Sequence, residues 1–435
     1  MVQLLRPAEA PAFAALVAEE AAAGGSAAVV RAWVRVEAWP PTSVGGAVAG
    51  EAEGWIELPW DVPDAECPLE PVVPPSRRVC LTPTNLEEAR RKFFEGGCAE
   101  APRFVYGGSK EQREAAFRSS ARDVCLRHHP EAERIIRRWR GEAAVGQPQE
   151  QEDVVEPDEM RRAVEEYLEF HGLQGGVEIS IDASLRAPRV TRATAASSSF
   201  SFADAFAAPS VAAADVVAFV VGLPARPLPR RRLQGILDHE LGTHLVRFKN
   251  DERQPWRNAR RDYQLQEPRT TEEGLATINE YLTRPGGLMV EPARLYLAAC
   301  YGARLGFAEL FREVQLAFGS DSDSCWRLCC KVKQGLEDTS EIGAWSEGQA
   351  YFKGAVEILR RIHDLDLRTL YSGRVAWEDL PIVSEVVDTA DIALPRFLSS
   401  PQDANTYLRR CDQLLEDNML DIAPGSEHAA PTWSE

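Results

Sequence analysis

The chain has 435 residues, 44% hydrophobic and 27% charged, an ordinary globular composition that can bury a large core in one to three domains. Its formal net charge of −18 disfavours nucleic acid and anionic membranes as partners. The sequence lacks a charge-free apolar run long enough to span a bilayer, and its nine scattered cysteines form no C-x-x-C pair, so reduced thiols in a cytoplasmic protein are expected.

In chain order, residues 1–35 read as a helix of the mature protein, because acids surround a short Ala-rich run where a secretory signal needs an acid-free block. Residues 36–82 are rich in Pro, Trp and acids, and predict an irregular segment wrapping a surface. Residues 83–158 form a helical first part of the main domain. One helix starts near Leu86, capped by Thr84 or Asn85 with Glu87 and Glu88 in its first turn, and another covers roughly 110–140. Residues 141–158 read as a solvated acidic linker. The core domain, 159–421, opens with a helix over 159–172. Strands follow at 177–182, 188–195 and 215–223, and the chain is mostly helical from Arg230 to about Asp388. Cys325, Cys329 and Cys330 lie at helical spacing in an apolar run and read as core packing rather than a metal cluster. A polar tail over 422–435 reads as disordered. The expected class is α+β, mainly helical, with a small sheet.

The segment RRRLQGILDHELGTHLVRFKN carries His239, Glu240 and His244. Two imidazoles with a carboxylate beside one are the parts of a hydrolytic zinc site: nitrogen ligands for the ion, and a base for the attacking water. The spacing is unusual. Ligands at i and i+4 lie about 40° apart around a helix, whereas i and i+5 lie about 140° apart. One extra residue taken up as a π-bulge restores a shared face, so a bulged helix is predicted around 240–243, with Gly242 easing the irregularity.

Downstream, Thr270 or Thr271 can cap a helix with Glu272 and Glu273 in its first turn. The Glu-Gly-Leu-Ala stretch at 273–276 resembles the Glu-Gly-Phe-Ala helix of gluzincin peptidases, whose Glu binds zinc. That resemblance makes Glu273 the third ligand and leaves Glu272 to the helix dipole. It also implies that Gly274 lets the two site helices approach closely. Two nitrogens and one oxygen leave a fourth position open, the pattern of a catalytic zinc.

The combination His-Glu-Leu-Gly-Thr-His plus Glu-Gly-Leu-Ala resembles the microtubule-associated tyrosine carboxypeptidases and their bacterial relatives, with Leu241 where Ile is usual and Glu272 where bacterial members have Gln. Three further stretches, 83–106, 295–314 and 332–354, are similar, so the resemblance spans about 83 to 370. It implies a gluzincin-like core with one Zn2+, held by His239, His244 and Glu273, and Glu240 as general base. For eukaryotic members it implies removal of the terminal tyrosine of α-tubulin, and hence association with the cytoskeleton. Similarity also offers Lys333 as a contact for the substrate carboxylate. Other readings are a peptidase of the same fold with a non-tubulin substrate, and a non-catalytic zinc-binding relative. The intact ligand and base set argues against the last.

A tubulin tail is acidic and ends in a free carboxylate, which Arg binds well. Between 230 and 269 ten Arg or Lys face six acids, a local excess that suits an acidic peptide despite the global charge. Arg247 and Arg257 are the candidates named from this run. The oxyanion donor is sought among Tyr263, Tyr281, Tyr296, Tyr301 and Tyr351, with Tyr351 preferred.

Overall fold

In a computed structural model, the described residues are 28–36, 52–60, 81–144, 153–193, 200–201, 218–284 and 286–420. The chain divides into two units, Met1–Ser76 and Arg77–Glu435. In the first, strand β1 (Ala28–Val36) pairs antiparallel with β2 (Ala52–Trp60), Ala28 opposite Trp60 and Val36 opposite Ala52. Helix was expected over part of this stretch and irregular chain over the rest. Valine at 29, 30, 34 and 36 explains the strand: branched side chains fit a pleated ribbon better than a helix. The remainder of the expected N-terminal helix and wrapping segment, like the tail over 422–435, lies outside the described residues.

The second unit opens with helix α1 (Leu86–Glu95). Asn85 precedes it without capping it, since its side chain is engaged by Arg103 and Val105 backbone atoms at 3.0 and 2.8 Å. The single helix expected over 110–140 is two, α2 (Lys110–Arg122) and α3 (His129–Ala144), broken where residues 123–128 turn. Of the expected linker, 145–152 lies outside the described residues. Its flanks are ordered as the end of α3 and as β3 (Val154–Val155). Helix α4 (Pro157–Phe170) starts on a proline, which suits a first turn.

Strands β4 (Val177–Asp182), β5 (Arg189–Ala193), β6 (Phe200–Ser201) and β7 (Ala218–Pro224) form one sheet in the order β4-β7-β5-β6. β4 runs parallel to β7, and β5 antiparallel to it with Val190 opposite Val221. β8 (Leu228–Pro229) pairs with β3 and leads into α5 (Arg230–His239). A π-helical turn, Glu240–Leu245, and then α6 (Val246–Asp251) continue the same rod.

Leu233, Ile236, Leu237, Leu241 and Leu245 follow i, i+3, i+4 spacing down this rod. They pack with Val190, Val221 and Met160 in one core. Each such burial is worth about 1.5–3 kcal/mol. Val246 belongs instead to a second, larger core built by helices α7 (Arg269–Tyr281), α8 (Val290–Gly302), α9 (Phe307–Phe318), α10 (Ser322–Val332), α11 (Gln349–Leu359), α12 (Leu367–Tyr371), α13 (Leu380–Val383) and α14 (Pro401–Asp417). The rod therefore joins a sheet-side core to a helix-side core. Cys325 and Cys329 are buried in the latter, as the apolar spacing implied.

Gly274 does allow a close helix crossing, but not with the rod. A Cβ there would overlap the Gly354 backbone on α11, and one on Gly354 would overlap the Thr270 carbonyl oxygen. The rod meets α7 through its own Gly235, against the Glu280 carbonyl. Backbone cannot step aside as a flexible side chain can, so Gly354→Ala is expected to lower stability by about 3 kcal/mol. Urea unfolding measures this, and a loss below about 0.5 kcal/mol would show that the crossing relaxes freely.

Candidate metal centre and active site

Six residues from Glu240 to Leu245 adopt the π-helical turn, where the i, i+5 spacing of the two histidines called for a bulge. Residues five apart share a face in such a turn. The His239 and His244 rings lie 5.0 Å apart, centroid to centroid, at 73°. Gly242 earns its place by packing: a Cβ there would run into the Tyr167 hydroxyl and the Phe397 ring. Thr243 bridges the widened turn, its hydroxyl donating to the Asp238 carbonyl at 2.8 Å and accepting from Asn279 Nδ2 at 2.7 Å. Asn279 in turn donates to the Tyr371 hydroxyl at 2.7 Å and accepts from Tyr407 at 3.0 Å. This buried network pins the turn to α7, α12 and α14.

Helix α7 brings Glu273 to the same point. Candidate ligand atoms of His239, His244 and Glu273 all lie within 4.8 Å of one another, with His244 Nε2 3.7 Å from Glu273 Oε2. Ligands bonded at about 2.0–2.1 Å around a tetrahedral ion lie roughly 3.3 Å apart, so little movement is needed. Glu273 is 1% exposed, and its Oε1 has no hydrogen-bond partner. A buried carboxylate with an open oxygen beside two imidazoles fits a divalent cation, and the mixed nitrogen and oxygen donors fit zinc.

Each imidazole is steered from behind by a carboxylate of α7. His239 Nδ1 lies 3.0 Å from Glu280 Oε2, and His244 Nδ1 lies 3.0 Å from Glu272 Oε1. This is the arrangement that fixes the tautomer and leaves Nε2 for a metal. Burial alone would lower the His239 pKa, but the Glu280 carboxylate 3.0 Å from its Nδ1 overrides it and holds it up at about 9 in the metal-free protein. Glu280 is also engaged by Arg284. The first-turn dipole role expected for Glu272 gives way to this buried one. Nor does either threonine cap α7: the helix starts at Arg269, and the Thr271 hydroxyl accepts from the Trp377 N–H at 3.0 Å.

The candidate base, Glu240, sits where the rod meets β5. The Val190 N–H donates to Glu240 Oε2 at 2.9 Å, leaving the other oxygen to act. Tyr351 enters from α11, which the glycine crossing draws against α7. The charge of Glu273, then burial, raise the Tyr351 pKa well above the usual phenol range, so its hydroxyl stays a proton donor.

Three residues named as substrate contacts serve elsewhere. Arg247 is fully buried and ion-paired with Glu272, and it donates to the Leu370 and Val375 carbonyls at 3.2 and 2.8 Å. Lys333 is fully buried, its Nζ donating to the Gly302, Leu305, Glu341 and Gly343 carbonyls at 2.6–3.1 Å. Arg257 lies over the Phe248 ring and 3.6 Å from Asp251. The cavity beside His239, of about 730 Å³, takes its cations from Arg232, Arg284, Arg294, Arg327 and Lys331, with Tyr351 on its wall. Of these only Arg232 belongs to the basic run seen in the sequence. The others stand on α8, on α10 and just past the end of α7, which only folding brings together.

Residues 223–416 match the family model described as microtubule-associated tyrosine carboxypeptidase. The human protein named microtubule-associated tyrosine carboxypeptidase 1 is 36% identical over 194 residues, covering 44% of this chain and 40% of that protein. The mouse protein of that name is 34% identical over 194 residues, covering 44% of this chain and 41% of its own length. The rat protein is 26% identical over 360 residues, covering 80% of this chain and 70% of its own length. The chain thus spans less than half the length of the human and mouse relatives in the segments it matches.

Removing a carboxylate behind an imidazole should loosen the ion without abolishing the site. Glu280→Gln is expected to weaken zinc binding about 10–100-fold, read by competition with a chelator of known affinity. Unchanged affinity would mean that Glu280 does not orient His239. Glu272→Gln leaves the Arg247 charge buried and unpaired, so it should also cost about 3–5 kcal/mol of stability. Equal unfolding midpoints for the two variants in chemical denaturation would contradict that difference.

Proposed function

We propose that the chain is a zinc-dependent carboxypeptidase with a gluzincin-like core that trims acidic peptide tails, since residues 223–416 match the model of the microtubule-associated tyrosine carboxypeptidase family. The first candidate substrate is the C-terminal tyrosine of α-tubulin, which the names of the relatives suggest. The observation that carries this reading is the convergence of His239, His244 and Glu273, with an open oxygen on the buried glutamate. The cations along the cavity support an acidic substrate. This reading sets the protein in the cytoplasm, on or near microtubules. Among the described residues no helix is long and apolar enough to cross a membrane.

His239, His244 and Glu273 hold the ion. When bound, it acidifies the attacking water and polarises the scissile carbonyl. Glu240 accepts the proton of that water on the oxygen that Val190 leaves free, and passes it to the departing amino group. Tyr351 donates a hydrogen bond to the carbonyl oxygen as charge builds there. Glu272 and Glu280 keep the imidazoles aimed throughout.

The test uses a synthetic peptide ending Glu-Glu-Tyr and polymerised tubulin, with the new C-terminus read by mass spectrometry. Wild type should release tyrosine. Glu240→Gln should retain zinc and lose about 10²–10⁴-fold in kcat. Tyrosine release at an undiminished rate by that variant would refute the base assignment. Hydrolysis confined to non-acidic peptides would replace tubulin with another substrate, a reading that the net charge of −18 favours through long-range repulsion of an acidic tail.

A further inference from the structure

A carboxypeptidase needs a cation, close to the metal centre, that is not already spent on a protein carboxylate. Cations along the cavity differ in this respect. Arg284 is paired with Glu280 and Arg294 with Glu291 at 3.0 Å, while Arg327 donates to the Ser324 hydroxyl at 2.9 Å; among the described residues neither Arg232 nor Lys331 makes a hydrogen bond or ion pair. Of the two, Lys331 is the one set over Tyr351. It is exposed, lines the cavity together with His239 and Tyr351, and holds its Nζ 5.6 Å from the centre of the Tyr351 ring.

Its backbone is also firmly placed. Lys331 lies in the last turn of α10, and the buried Lys333 just beyond ties that end of the helix to four carbonyls. One lysine secures the helix end, and the other is left to face the cavity. An ammonium on a flexible stem, held at its root and stacked on an aromatic ring, suits a compact single charge such as a carboxylate.

We propose that Lys331 is the specificity-determining residue that binds the free α-carboxylate of the substrate beside Tyr351. The assignment rests on the carboxypeptidase reading above. It replaces the Lys333 contact drawn from family similarity.

The test compares two peptides of one sequence, ending in tyrosine as the free acid and as the amide. Wild type should favour the acid. Lys331→Met keeps the apolar stem over the ring and removes the charge. It is expected to lower the acid-to-amide ratio of kcat/KM about 10–100-fold, through KM for the acid, as loss of a charge-assisted bond implies. Lys331→Arg should restore most of the ratio. A folded Lys331→Met protein that keeps the wild-type ratio overturns the proposal, thermal unfolding midpoints reporting the fold. Should wild type itself fail to distinguish acid from amide, the carboxypeptidase reading falls first and takes this assignment with it. Should Lys331→Met unfold, Lys331→Gln is measured in its place under the same criterion.

Discussion

A single buried carboxylate governs the arrangement around it. Glu273 is almost wholly removed from water, and one of its oxygens has no hydrogen-bond partner. A carboxylate so deeply buried is costly unless positive charge stands beside it, and the imidazole of His244, 3.7 Å from Oε2, leaves Oε1 unanswered. Its neighbours show how much is wanted. Arg247 answers Glu272 and Arg284 answers Glu280, and without an ion His239 itself is held protonated among these carboxylates; an ion on its Nε2 would displace that proton. Glu240 and Glu273 remain, two negative charges for one divalent cation. Arginine fully buried beneath a candidate metal ligand reads as waste on a surface view. In this balance it keeps the second-layer glutamate from competing for the ion.

Holding that constellation depends on two unusual pieces of backbone. The π-helical turn brings His239 and His244 onto one face, and the crossing of Gly274 with Gly354 brings Tyr351 up to Glu273. Both departures are secured from both sides. The leucines of the rod anchor it in the sheet-side core, and the Asn279 network fastens the turn to the helix-side core. Every member of that network has its partner, so polarity there specifies one geometry rather than weakening the core. The Val190 N–H links the sheet to Glu240, the candidate base, giving the small sheet a part in the site beyond packing.

Much of this was legible before the fold. His239, Glu240 and His244 announce a site by residue type, and their spacing demands an irregular turn, because only one local geometry lets both imidazoles meet an ion. Glu280 was missed, yet it carried a signal: it stands seven residues, two turns, after Glu273 on the same helical face. Arg247 and Lys333 were misread for a physical reason. Sequence shows that a cation is present but not whether carbonyls and a glutamate will enclose it. Gly274 was read as a contact with the wrong helix, since a small residue advertises close approach without naming the partner. The N-terminal strands failed differently: alanine content suggested helix, while valines at 29, 30, 34 and 36 carried the decisive preference.

The electrostatics of the molecule divide by distance. Its net charge of −18 repels an acidic chain at long range, but beyond about 8 Å physiological salt screens most of that field. Inside the cavity Arg232, Arg284, Arg294, Arg327 and Lys331 outnumber the two acids of its lining, Glu280 and Glu291, and would act on a peptide at contact distance. These cations come from α5, α7, α8 and α10 or their ends, so their concentration is a product of packing rather than of any basic run in the chain. An acidic peptide would therefore gain little from diffusion towards this protein and much from the last few ångströms. Such a balance favours discrimination after encounter over fast capture, and it ties recognition to the same helices that hold the candidate metal ligands and their supporting carboxylates.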